Sequence, residues 1–392
     1  MKITPCVFAV LFLTSAMATL TFTEAAQKPA ANAHYLALVG TYTSKTASKG
    51  IYAFDFDSAT GRLTPQGLAA ATQDPSWVAI HANGKFVYAA NESGKQSTIT
   101  AFTLDPATAK LTQLNQLPAL GEDPCYLSFD KTGRFLFVAN YTSGNVVVFP
   151  ILPDGKLGQH TAVVKDSGPL GPNKERQQAP HAHWVEVSVG NRFAYVADLG
   201  LDRVLIYPFD AAKGVLSAPR GAGSGSAGAS SIILTPGTGP RHAAFSANGN
   251  FMYVLGELES TVSVFANQHR EIWQPVQQIS ALPELFTGRN DAAEIAIHPG
   301  GKWLFTSNRG RDSIAVFALD ASSGMLKRTG DFPTGGQEPR HFAIDPTGQF
   351  LLAENQNSNS IDVFRINMAT GVLTAVSQAL DIPSPVCLTF VP

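Results

Sequence analysis

Short runs of alternating apolar and polar residues fill most of this chain, and turn residues separate them. Residues 239–265, GPRHAAFSANGNFMYVLGELESTVSVF, are representative. After Pro240, Arg241 and His242, the apolar Ala243 and Phe245 mark a strand, Asn248-Gly249 a hairpin turn, and residues 251–255 the return strand. Glu257 then falls in a loop, and residues 261–265 form a third strand. Period-two alternation interrupted by Asn-Gly is a strong local hairpin signal.

The unit recurs. Its third strand ends in an aromatic at Phe54, Phe102, Phe149, Tyr207, Phe265, Phe317 and Phe364, in contexts such as IYAF, VVVF and IAVF. The copies lie roughly 47 to 58 residues apart, a spacing typical of propeller blades. The pattern predicts an all-β, seven-bladed β-propeller over residues 35–392, because each sheet has two apolar faces that only its neighbours can cover. Blades two to seven are expected to start at Pro75, Pro124, Pro180, Pro240, about Ala292 and Pro339. Blade one has three strands near the N-terminus and lacks an inner one. Residues 384–390 carry the inner-strand pattern, so the C-terminal strand is expected to close the ring and remove its free edges. A Gly/Ser-rich loop (221–231) is expected before blade five, and another long loop (165–179) before blade four.

Composition narrows the setting. With 28 Lys+Arg against 30 Asp+Glu and no basic run, no nucleic-acid partner is expected. Lys2, an apolar run at 7–13 and small residues up to Ala26 read as a secretory signal (1–26), followed by a short tail (27–34). That apolar run is too short to span a membrane. The mature chain is therefore expected to be periplasmic or secreted, free of the membrane and monomeric. Cys6 leaves with the signal, and Cys125 and Cys387 are expected as buried free thiols.

In antiparallel blades, the loops entering the inner strands and those after the second strands open on one face, around the channel. His, Arg and Glu gather in those slots in blades four to seven: His183, Arg241, Glu257, Glu294, Arg309, Arg340 and His341. The repeated Pro-Arg-His triplet also has a purely structural reading, bridging neighbouring blades. His81 and His298 fall in hairpin turns on the opposite face and are read as structural, and His34, His160 and His269 as surface residues. His-Glu-x-x-His, Cys-x-x-Cys, G-x-S-x-G and P-loop motifs are missing, and neither a metal nor a cofactor is expected.

Five ordered motifs carry a family resemblance. They are Pro180-His181-Ala182-His183, Asp198-Leu199-Gly200-Leu201-Asp202, Gly239-Pro240-Arg241-His242 with Glu257, Ala293-Glu294-Ile295 with Ser307-Asn308-Arg309-Gly310, and Pro339-Arg340-His341-Phe342. Together they resemble the seven-bladed lactonase family, which includes propeller-type 6-phosphogluconolactonases and the fungal carboxymuconate lactonizing enzyme. The resemblance covers essentially the whole chain after the leader. It implies His183 (or His181), Arg241, Glu257 and Arg309 as catalytic residues. His181, His242, Glu294, Asn308, Arg340 and His341 are expected to bind substrate, a small lactone or anionic sugar acid. The implied activity is hydrolysis of a sugar lactone, 6-phospho-D-glucono-1,5-lactone or an unphosphorylated relative. His183 would act as base, with Glu257 orienting it or replacing it, and the arginines would hold the oxyanion. Two alternatives stay open: a carboxymuconate-type cyclase, and a non-enzymatic exported propeller that binds or scaffolds.

Overall fold

A computed structural model describes residues 33–44, 46–217, 231–268 and 272–392. The leader (1–26) with Cys6, the tail up to residue 32, residues 221–230 and His269 lie outside the described residues.

Seven antiparallel sheets form a ring, six of them four-stranded. Inner strands of blades two to seven are Pro75–Ile80, Pro124–Phe129, Ala182–Val187, Pro240–Phe245, Asp291–Ile297 and Pro339–Ile344. Blade one takes its inner strand, Pro385–Phe390, from the other end of the chain, and it pairs antiparallel with His34–Thr41. His34, assigned above to the tail, is thus the first residue of a strand. Apolar clusters lie between successive sheets, as where Leu136, Val138 and Val147 of blade three meet Tyr88 and Ile99 of blade two. At the closure, Phe56 packs edge-on against Phe350 of blade seven and Phe390 of the closing strand.

One local irregularity repeats. Near its start, each inner strand carries an extra residue relative to its partner, with register shifts at Pro75/Trp77, Pro124/Tyr126, Ala182/Trp184, Pro240/His242 and Pro339/His341. Blade six shifts between Ala292 and Ile295, and blade one opposite Gly40/Thr41. Such bulges re-aim side chains that a regular ladder would turn into the sheet. Ser76, Cys125, His183, Arg241 and Arg340 occupy the extra position.

Blade four departs from expectation. Its third strand, Arg203–Asp210, pairs with Val215–Leu216 at one end and with Ser231–Ile233 at the other. Two short strands, one ending at Leu216 and the other starting at Ser231, thus share the outer edge of blade four ahead of blade five. Ser231 belongs to a strand, because the eight-residue third strand offers enough edge for both short pieces.

The ring closes by pairing the two ends of the chain, so removing residues 385–392 strips blade one of its inner strand and bares the edge of His34–Thr41. Such a truncation is expected to aggregate on size-exclusion chromatography and to lose its cooperative thermal transition. A truncated chain that elutes and melts like the full one would refute this closure.

Candidate functional site

A cavity of about 270 Å³ opens at one mouth of the central channel, lined by Glu92, Cys125, Tyr141, Arg176, His183, Glu257, Arg309 and Arg340. Two local devices supply most of the lining. Cys125, His183 and Arg340 come from bulges, and Glu92, Tyr141 and Glu257 directly follow second strands. A hydrogen bond ties each of the latter three to the entry of its own inner strand. The amides of Glu92, Tyr141 and Glu257 donate to the carbonyls of Asp74, Asp123 and Gly239. Those three residues have positive φ, and each precedes the proline that starts the strand. This tight turn brings Glu257 beside Arg241. Arg176 arrives differently, on the long loop before blade four. Gln177 pins that loop through its amide to the Leu199 carbonyl and Asp202. Gly200 lets the loop approach, since a Cβ there would sit 1.8 Å from the Ala179 carbonyl oxygen.

Glu257 is the charge centre. Arg176 Nη2 lies 2.5 Å from one carboxylate oxygen, and Arg241 Nε and Arg309 Nη2 lie 3.1 and 3.2 Å from the other. Burial by itself would raise this carboxyl, but Arg309, Arg241 and Arg176 overcome it and hold Glu257 down at about 2. Burial and the charges of Arg309 and Arg340 push Arg241 down to about 10, so it stays charged at neutral pH. Across the cavity, Tyr42 donates to Glu92 at 2.7 Å, and Arg340 lies over the Tyr42 ring and 3.8 Å from Glu92. His183 is neutral: burial first, then Arg241 and His242, hold its imidazole well below the usual range. Its buried Nδ1 has no hydrogen-bond partner. The cavity thus sets a neutral imidazole among guanidinium groups.

A family model described as Lactonase, 7-bladed beta-propeller, matches residues 36–390. The chain belongs to this seven-bladed propeller lactonase family. A Bacillus subtilis protein named 6-phosphogluconolactonase is 35% identical over 91% of this chain and 98% of its own length. A Formosa agariphila protein of the same name is 35% identical over 76% of this chain and 83% of itself. Among solved structures, the periplasmic gluconolactonase of Pseudomonas aeruginosa superposes with a TM-score of 0.85 at 33% identity, over 92% of this chain and 99% of that one.

Within this lactonase, the expected residues divide. His183, Glu257, Arg309 and Arg340 meet at the cavity. Arg241 does not line it: the side chain is buried beneath, donating to the Ala293 carbonyl and paired with Glu257. There it braces the Glu257 carboxylate from outside the cavity lining. His181 stacks on Tyr141 at 4.5 Å and its Nδ1 meets the Tyr141 carbonyl, whereas His183 lines the cavity.

His242, Glu294 and His341 also miss the cavity. They form a buried chain below it, with His242 Nδ1 3.0 Å from Glu294, His341 Nε2 3.7 Å from Glu294 and His341 Nδ1 2.7 Å from Glu354. Because the arginine next to it can only donate, His242 Nε2 accepts from Arg241, and His242 Nδ1 therefore donates to Glu294. Asn308 is fully buried in the sheet, where its amide donates to the Ala281 carbonyl. Asn91, Asn140 and Asn355 end their second strands in the same way, on the carbonyls of Gln73, Ala119 and Thr334. That fourfold recurrence was visible in the sequence and marks Asn308 as a blade fastener.

Arg176 escaped the sequence analysis, since no repeat slot contains it; the length of its loop was the one available signal. Cys125 is a cavity residue as well as a buried free thiol, and burial raises its pKa well above the ordinary thiol value. His81 and His298 accept the structural reading, bridging to the Gly133 and Gly348 carbonyls of the next hairpin turn. Among the described residues, no group of three or more His, Cys, Asp or Glu is arranged to hold a metal ion.

Two stability measurements test this assignment. Asn308→Ala leaves the Ala281 carbonyl without its donor and is expected to cost about 1–3 kcal/mol in urea unfolding. For Glu257, a fall from 4.5 to about 2 corresponds to on the order of 3 kcal/mol. Because the folded-state pKa is the lower one, this contribution is complete above pH 4.5 and is lost as pH falls towards 2. Glu257→Gln is expected to lower stability at pH 7 and to flatten its decline over that acid window. An unchanged acid profile in Glu257→Gln would refute the pairing.

Proposed function

We propose that this chain hydrolyses a sugar lactone, an aldonolactone, with water activated by His183. The carrying observation is one cavity that holds a neutral imidazole and three guanidinium groups, those of Arg176, Arg309 and Arg340. Membership of the lactonase family and relatives named 6-phosphogluconolactonase and gluconolactonase support the reading.

Water attacks the lactone carbonyl carbon and passes a proton to His183, while the carbonyl electron pair moves onto oxygen. Arg309 and Arg340 face that developing negative charge with fixed positive groups. When the carbonyl re-forms, the ring C–O bond breaks. The imidazolium returns its proton to the departing ring oxygen, and an open hydroxy acid remains. Glu257 is too acidic to serve as the base, so its part is to hold Arg176, Arg241 and Arg309 in place. The cavity's positive excess suits an oxyanion, a carboxylate product and a 6-phosphate alike, so both phosphorylated and unphosphorylated gluconolactone belong in the assay.

Export of the mature chain after cleavage of residues 1–26, and a monomeric state, complete the proposal. N-terminal sequencing of fractionated protein tests the first and light scattering the second. Protein retained in the cytosol with Met1 attached would overturn export.

The decisive assay follows lactone hydrolysis against the buffer rate. His183→Gln and Arg309→Ala are each expected to lower kcat/KM by about 10²–10³. His81→Ala, at a hairpin turn on the opposite face, serves as the unaffected control. A base works deprotonated, and His183 is held well below the ordinary histidine value of 6.5. The acid limb of the rate profile is therefore expected below pH 6.5, with activity level across neutral pH. An acid limb at or above that value, or equal losses from His183→Gln and His81→Ala, would refute His183 as the base.

A further inference from the structure

A second and larger cavity, of about 510 Å³, lies beside the first on the same face of the propeller. Three loops build it: the long loop before blade four, the turn after the second strand of blade five, and the segment between blade five's outer strand and Asp291. Arg176 belongs to both cavities. Its Nη2 holds Glu257 on the inner side and its Nη1 lies 3.5 Å from Asp291 on the outer side.

The two cavities differ in charge. Inner-cavity arginines Arg176, Arg309 and Arg340 outnumber the carboxylates Glu92 and Glu257, with Arg241 adding a further positive charge beneath. In the outer cavity, Glu175, Glu259 and Asp291 outnumber Arg176 and Arg289. Arg289 is also paired, 3.1 Å from Asp291. An anionic group is therefore drawn to the inner cavity and gains nothing in the outer one. Carboxylate oxygens suit hydroxyl donors, and the outer cavity's mainly charged and polar lining does not suit an apolar tail.

We propose that the outer cavity is a subsite for a neutral sugar residue attached to the lactone. The substrate class is then a glycosylated aldonolactone, such as the lactone of an oxidised disaccharide. This inference rests on the lactonase reading above. The lactone ring occupies the inner cavity against His183, and the glycosyl unit lies across Arg176 towards Glu175 and Glu259. The chemistry is unchanged: one ring ester bond is hydrolysed and the glycosidic bond is untouched.

The test compares initial rates on D-glucono-1,5-lactone, its 6-phosphate and cellobiono-1,5-lactone with the purified chain. The disaccharide lactone is expected to show a kcat/KM at least tenfold above that of each monosaccharide lactone. Glu259→Trp fills the outer cavity from its exposed rim, and Glu175→Trp does so from the facing loop. Each is expected to cut the disaccharide-to-monosaccharide ratio at least tenfold, with thermal melts confirming the fold. Hydrolysis of the monosaccharide lactones with no preference for the disaccharide overturns the subsite and leaves the lactonase reading standing. A preference that neither tryptophan variant reduces overturns it equally. Failure to hydrolyse any of the three lactones overturns the lactonase reading, and the subsite falls with it.

Discussion

Three guanidinium groups converge on the single carboxylate of Glu257, and the functional face depends on that balance. Arg241 is 2% exposed, and a buried cation without a counter-charge is strongly destabilising. The carboxylate is itself anchored by its own backbone: the Glu257 amide donates to Gly239, and its carbonyl accepts from Ala292 of the next blade. Removing the charge would leave three arginines repelling one another around an empty centre. The same pairing holds the Glu257 carboxyl well below the ordinary glutamate range.

The propeller delivers this arrangement with a device that it repeats around the ring. A residue with positive φ, a proline and then a bulged residue open the inner strand of blades two, three, five and seven. The bulge presents Ser76, Cys125, Arg241 or Arg340, so one backbone solution carries different chemistry in each blade. Beneath the cavity, His242, Glu294, His341 and Glu354 form a buried chain, with Trp77 and Tyr126 packed edge-on against the two imidazoles. Burial and the nearby Glu294 raise the Glu354 carboxyl well above the usual carboxylate range. This network supports Arg241 from below through His242, a second layer that holds the first in place.

Part of the site was legible because the repeat places equivalent residues at equivalent heights. Equivalent repeat positions put His183, Glu257, Arg309 and Arg340 on one face of the ring. Alignment could not say which way a side chain turns. His242 and His341 directly follow Arg241 and Arg340 in the chain, and Glu294 holds the same place in blade six. The bulge then separates them: His183 and Arg340 reach the cavity, Arg241 is buried beside Glu257, and His242, Glu294 and His341 pack into a buried chain below. Asn308 and its neighbour Arg309 also part: Arg309 lines the cavity, whereas Asn308, like Asn91, Asn140 and Asn355, bonds a backbone carbonyl.

The sequence alone determined the architecture. Period-two alternation, seven recurring aromatic strand ends and an unpaired inner-strand pattern at the C-terminus leave a closed ring as the arrangement that covers every sheet face and edge. These are local or repeated signals, and strand pairing in a meander follows chain order. Only the tertiary structure decided that Arg176 enters the site, that Arg241 lies under it, and that Val215–Leu216 and Ser231–Ile233 share the outer edge of blade four. Each depends on contacts between residues far apart in the chain, such as Arg176 with Glu257 and Arg203 with Ile233. No local pattern encodes such contacts, because their energy appears only when packed blades bring the charges and strand edges within reach.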